Sequence, residues 1–249
     1  MTLHPALSAF CLEICRPAFW ACFGLSFLAS AATVLAGGGG GAGVAANSPV
    51  TLAESVAILS LFGLAIPQLL LPAEGGTVDG ARFAGATAAV VLAFTGVPLG
   101  LAVGSALGPF GSVETGPFRP WGHVAALLLM GWPTLLLACA LAFAAGRVTG
   151  NAWAGRLAIL GLLAWWLGGQ VFMVGPDCRG TAALADPSGL RALAEATRYW
   201  SVQERNSLPV PLEGGLLLNR LLWLGVALSA MALGLGFDRL RARPVSPPR

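Results

Sequence analysis

The chain has 249 residues, 56% of them hydrophobic and only 10% charged, with a mean hydropathy of +0.78; a soluble domain carries about 25% charge, so an ordinary water-soluble fold is excluded. All fourteen of its strongly basic residues are arginine, which excludes a P-loop, a Schiff-base lysine and any other site that needs a lysine amine. The formal net charge of +3 is spread thinly along the chain, so there is no nucleic-acid footprint.

The first apolar run, 17–36, follows Arg16 directly and is long enough for a membrane helix of about 20 residues. It has neither the charged flank nor the AxA site of a cleavable leader, so it reads as a retained span. The glycine run at 37–43 lacks a lysine and reads as a flexible linker. Further spans are expected at 55–71, 83–107, 121–145, 152–174 and 212–237. The resulting fold class is all-α, a polytopic integral membrane protein of six helices forming one transmembrane domain over 1–249. Pro67, Pro98 and Pro133 fall inside the second, third and fourth spans, where each frees a carbonyl and can kink its helix.

Arginine placement sets the expected orientation. With the N-terminus in the cytoplasm, Arg16, Arg82, Arg147, Arg156 and the C-terminal arginines lie inside. The short outer loops then carry only Arg119, and the long loop 175–211 lies outside. Both termini are expected to be cytoplasmic, in a bacterial inner membrane. Within the long loop the sequence predicts one amphipathic helix over 187–205, with Asp186 as N-cap and Pro187 at the first helical position. Leu190, Leu193, Thr197 and Trp200 share its apolar face, and Glu195 is spaced to pair with Arg191 or Arg198. The stretch is too charged to cross a bilayer, so it lies on the surface or caps a pore.

Catalytic chemistry fails on inventory. His4 and His123 fall on opposite sides of the membrane, which leaves no zinc, haem or Ser–His site to build. Ser26 and Ser105 sit beside glycines and read as small residues for helix packing. The five cysteines read as small buried hydrophobes, with Cys178 in the outer loop lacking a disulfide partner. Glu54, Glu74, Glu114, Glu213 and Asp238 fall at span ends, so no proton path is evident. No enzyme activity, cofactor, catalytic residue or metal ligand is expected. Arg220, with Asn219, is the one charge set inside a span. It can anchor the loop helix to the sixth span, pair with Glu213 seven residues earlier, or snorkel outward.

These stretches resemble a family. The segments 9–20 (AFCLEICRPAFW), 81–105 and 116–123 are similar to the ABC-2 type permeases of bacterial exporters, most closely the permease half joined to zinc aminopeptidase domains. The most specific likeness lies in 186–207 and 211–228, through RYW at 198–200, ERN at 204–206 and NRLLW at 219–223. The resemblance implies a six-span permease that pairs with a second permease copy or paralogue in the lipid bilayer and is powered by a separate ATPase subunit. It implies a coupling end formed by Glu13, Arg16, Glu74, Asp79 and Arg82. It also implies an outer loop or gate formed by Arg198, Tyr199, Trp200, Glu204, Arg205, Asn219 and Arg220. Two features depart from the family: the coupling loop is reduced to 73–82 (AEGGTVDGAR), and no aminopeptidase domain accompanies the chain. The short loop keeps open an alternative, a non-transporting scaffold or accessory subunit of another membrane complex.

Overall fold

The computed structural model describes residues 4–37, 43–72, 80–108 and 114–241, with side chains described as far as 237. Glu74 and Asp79 lie outside the described residues. Among those described there are helices and turns but no strand. Six helical passes are long and apolar enough to cross a membrane: Pro17–Leu35, Pro49–Leu70, Gly80–Leu107, Pro120–Thr149, Ala152–Phe172 and Gly214–Phe237. A short apolar helix, α1 (Pro5–Ile14), precedes them. α2 (Pro17–Leu35) starts on Pro17, whose missing N–H costs nothing at a helix start.

The second span begins earlier than its apolar run suggests. Ser48 caps the first turn through Thr51, so α3 (Pro49–Phe62) takes in six residues before position 55, and Glu54 sits in its second turn instead of ahead of it. Each internal proline breaks its span about one turn upstream, because residue i−4 loses its amide partner. Pro67 lies in α4 (Ala65–Leu70), and the break falls at Gly63 and Leu64. Pro98 lies in α6 (Gly96–Leu107), which follows α5 (Gly80–Ala93) after a break at Phe94 and Thr95. Pro133 opens α8 (Trp132–Thr149), which is joined to α7 (Pro120–Ala126) by a π-helical turn, Leu127–Gly131. The freed carbonyls of Gly63 and Phe94 accept shorter-range amides from Ile66 and Val97. The Leu129 carbonyl instead lies 3.5 Å from Arg220 Nη1.

The breaks meet in the core. Phe94 is fully buried, and a methyl group at either Gly63 or Gly131 would overlap its ring, so the broken points of three spans close around one side chain. A second seam joins α2 to α6. Gly96, Gly100 and Gly104 present bare backbone to Phe23, Phe27 and Ala31, and the spacing of four keeps them on one face. Ser26 packs against Gly96, and Ser105 is buried beside Gly104, as the packing expectation has it. α1 closes in the same way on Gly85 of α5, through the Ala6 and Phe10 backbone.

α9 (Ala152–Phe172) and α13 (Gly214–Arg241) complete the bundle with apolar faces turned outward. The cysteine expectation holds only for Cys22 and Cys139. Cys11, Cys15 and Cys178 are exposed, the first two because α1 buries its opposite face, Ala9 and Glu13, against the bundle.

Candidate functional site

Two places gather the chain's polar side chains, one at each end of the bundle. At the end holding residues 173–213, the single loop helix expected over 187–205 is divided. α11 (Leu190–Ala196) and α12 (Val202–Ser207) stand in its place, and a further short helix, α10 (Arg179–Ala185), precedes it. Two local signals make the division. Asp186–Pro187–Ser188–Gly189 forms a turn, Gly189 donating to the Asp186 carbonyl, and Gly189 with φ +77° becomes the N-cap in place of Asp186. The Asp186 carboxylate still serves the helix start, accepting from the Arg191 amide at 2.8 Å and from the Ser188 amide and hydroxyl at 2.9 and 2.7 Å. Further on, Ser201 and Glu204 form a capping box that starts a new helix. The SVQE at 201–204 carries that signal in the sequence itself.

The loop does not float on the surface. Leu193, Ser188 and Thr197 are fully buried, and α11 packs against α3 and α13. The stretch 183–187 takes in the last residues of α10 and the start of the turn, where carbonyls run out of helical amides. Five consecutive carbonyls there are met by side chains. The Asn219 amide reaches Ala183 at 2.6 Å and Asp186 at 2.8 Å. The Trp223 indole donates to Leu184 at 3.0 Å and the Trp165 indole to Ala185 at 2.9 Å. Arg220 Nη2 donates to Pro187 at 3.2 Å, an oxygen it shares with the Thr134 hydroxyl. In an apolar surround each carbonyl left without a donor costs about 1–3 kcal/mol, so irregular backbone persists only where protein supplies the donors.

Asn219 and Arg220 are therefore the anchor between loop and sixth span, and Asn219 Oδ1 accepts from the Arg220 guanidinium. No ion pair between Arg220 and Glu213 forms among the described residues. Gly189 completes the fit, because a Cβ there would overlap the Arg220 guanidinium. Sequence reasoning assigned no site role to Arg191, Trp165 or Trp223. Arg191 caps the end of α9, donating to the Met173 and Gly169 carbonyls at 2.7 and 2.9 Å and to Gln170.

The other residues expected at the outer loop or gate lie around the anchor without joining it. Arg198 pairs with Glu195 at 3.5 Å and stacks on Tyr199, which is 84% exposed. Trp200 ends the turn from Thr197. Arg205 donates to the Thr197 carbonyl. The Ser201 amide and hydroxyl hold the Glu204 carboxyl below its ordinary range. Asn206, also missed, bridges the Gly43 carbonyl and the Ala45 amide, tying α12 to the residues before the second span.

At the opposite end, Glu13, Arg16 and Arg82 line one open groove of about 680 Å³ together with Arg156. The Glu13 carboxylate takes Arg16 Nη1 at 2.6 Å and is almost wholly buried. Arg156 stacks over Trp153 at 4.8 Å, and its carbonyl accepts from Gln68. Among the described residues no group of three His, Cys, Asp or Glu side chains converges to hold a metal ion. His4 and His123 stand at opposite ends of the bundle. No family model, curated protein or solved structure gives a match to this chain.

Proposed function

We propose that this chain is the membrane-spanning permease subunit of an ATP-binding-cassette exporter in a bacterial cytoplasmic membrane, driven by a separate ATPase subunit and paired with a second permease copy or paralogue. One conjunction carries the reading. The two stretches with the most specific likeness to ABC-2 permeases, 186–207 and 211–228, are also the two bound together by Asn219, Arg220 and Trp223. On this reading no residue does covalent chemistry. Closure of the ATPase partners rocks two six-span bundles about a pore between them, and the docked outer loop moves with the sixth span as one piece.

Glu13, Arg16 and Arg82, with Glu74 and Asp79 in the adjoining segment, form the cytoplasmic coupling end. Arg198, Tyr199, Trp200, Glu204 and Arg205 form the outer rim, facing the substrate's exit. A second reading, a non-transporting scaffold or accessory subunit, is favoured by one observation. Only residues 71–79 separate the second span from the third, which leaves little chain for a docking helix.

Purification of the complex from its native membrane in mild detergent tests the proposal. It predicts a stoichiometric P-loop ATPase that is lost when 9–16 or 74–82 is altered. A clean complex with another membrane enzyme and no ATPase contradicts it.

A further inference from the structure

We infer that the cleft between α12 and the residues ahead of α3 and α7 is a binding site for a short peptide with both ends free, its ammonium meeting Glu114 and its carboxylate Arg119. The cleft is open and holds about 570 Å³, within the range of small-molecule sites. Three stretches line it: 45–48 before α3, 114–119 before α7, and one face of α12. Hydrogen bonds hold these walls together. The Ala46 and Asn47 amides donate to the Glu114 and Thr115 carbonyls at 2.9 Å. Asn206 of α12 grips Gly43 and Ala45, and Arg119 Nη1 donates to the Ser207 carbonyl at 3.1 Å. Walls set in advance lower the ordering cost of binding.

The lining keeps polar capacity that the protein does not use. Asn47 is only 4% exposed, yet its amide oxygen has no donor among the described residues. A buried amide left in this way on a cavity wall marks a place for a ligand or water. Its χ2 is a broad, two-fold torsion, so either end of the amide can turn to the cleft. Glu114 is exposed, and its carboxylate makes no ion pair among the described residues; Arg119, five positions on, bonds the Ser207 carbonyl instead and keeps its other N–H donors. The neighbouring segments 38–42 and 109–113 carry no charged residue. α3 starts at this wall with Ser48 as its N-cap, so its positive end adds to the attraction for a carboxylate. A simple anion or cation would leave one of the two charges unused, and a neutral sugar would leave both. A free dipeptide supplies an ammonium, a carboxylate and, between them, a peptide group for Asn47. The site does not depend on the transport reading.

The test is binding to the full-length protein in mild detergent, read by isothermal titration calorimetry. L-alanyl-L-alanine is compared with its N-acetylated form, its C-terminal amide, free alanine and sucrose. The free dipeptide is expected to bind at millimolar concentration or below, and each capped form about tenfold more weakly, because one charge-assisted bond is lost. E114Q is expected to bind the free and N-acetylated dipeptides alike while still rejecting the C-terminal amide. R119Q is expected to lose that second preference and keep the first, and N47L to weaken all three dipeptides by a similar factor. The Glu114 carboxylate holds nothing else in place, so E114Q should leave thermal unfolding unchanged and decides the matter even where R119Q loosens α12. No binding of the dipeptide, equal binding of the capped forms, or unchanged selectivity in E114Q overturns the site. So does sucrose or free alanine binding as tightly as the dipeptide, since neither engages both charges and Asn47 together.

Discussion

Asn219 and Arg220 occupy neighbouring positions on one helix, yet between them they meet four of the five carbonyls that 183–187 brings into the bundle. Replacing Asn219 with Leu keeps the volume and removes both donors. Ala183 is left without a donor and the Arg220 guanidinium without its Asn219 acceptor; at about 1–3 kcal/mol per stranded group, the expected loss is roughly 2–5 kcal/mol. Thermal unfolding in detergent measures it, and trypsin should then cut the loop at Arg191, which its contacts with Met173 and Gly169 otherwise protect. Gly189→Ala should produce the same loop release through overlap with Arg220, although residue 189 makes none of these bonds itself. Glu204 gives a pH signature at the same scale. Its carboxyl is held below the ordinary value, so the charged form stabilises α12. That stabilisation is complete above the unfolded pKa and is lost as pH falls through the lower, folded one. Amide exchange over 201–207, corrected for intrinsic rate, should therefore stay slow at neutral pH and quicken only in the acid range, and E204Q should abolish the difference.

The three prolines and the small residues explain which elements were legible in the sequence. Six spans follow from run length alone, and Pro67, Pro98 and Pro133 announce breaks because a missing amide acts locally. What a break becomes is decided by neighbours: Phe94, at its own break, packs against the glycines of the other two, and the one before Pro133 becomes a π-helical turn beside Arg220. The charge spacing of the loop is helical throughout and predicts one helix, while the PSG turn at 187–189 delays its start and the SVQE capping box at 201–204 cuts it. Both signals are visible in the sequence when caps are weighed over periodicity. The target of Arg191 was not, since the end of α9 is distant in the chain. Close packing at the elements' contacts yields a contrast between glycines. Gly131→Ala should destabilise the bundle by about 1–3 kcal/mol through overpacking against Phe94. Gly161→Ala, with open space around it on α9, should be neutral or stabilising by up to about 1 kcal/mol. Urea or thermal unfolding of the two variants side by side reads the difference.

For the whole molecule, the natural cysteines report the proposed topology. Cys15 and Cys178 are exposed at opposite ends of the bundle, while Cys22 and Cys139 are buried. A membrane-impermeant maleimide applied to intact cells should label Cys178, and Cys15 only after the membrane is opened. The reverse pattern would invert the topology and place the groove of Arg16, Arg82 and Arg156 outside. On the proposed reading the same end carries the coupling to an ATPase, since it holds α1 and the junction between the second and third spans. Co-purification alone does not separate a working permease from a scaffold, whereas turnover does. The decisive measurement is ATP hydrolysis by the partner ATPase in lipid vesicles, with and without this chain, and with its E13Q/R16Q/R82Q variant. A permease should change the rate severalfold, and the variant should return it to that of the ATPase alone. A rate indifferent to the chain, in a complex that still assembles, would contradict the exporter account and leave the chain a scaffold.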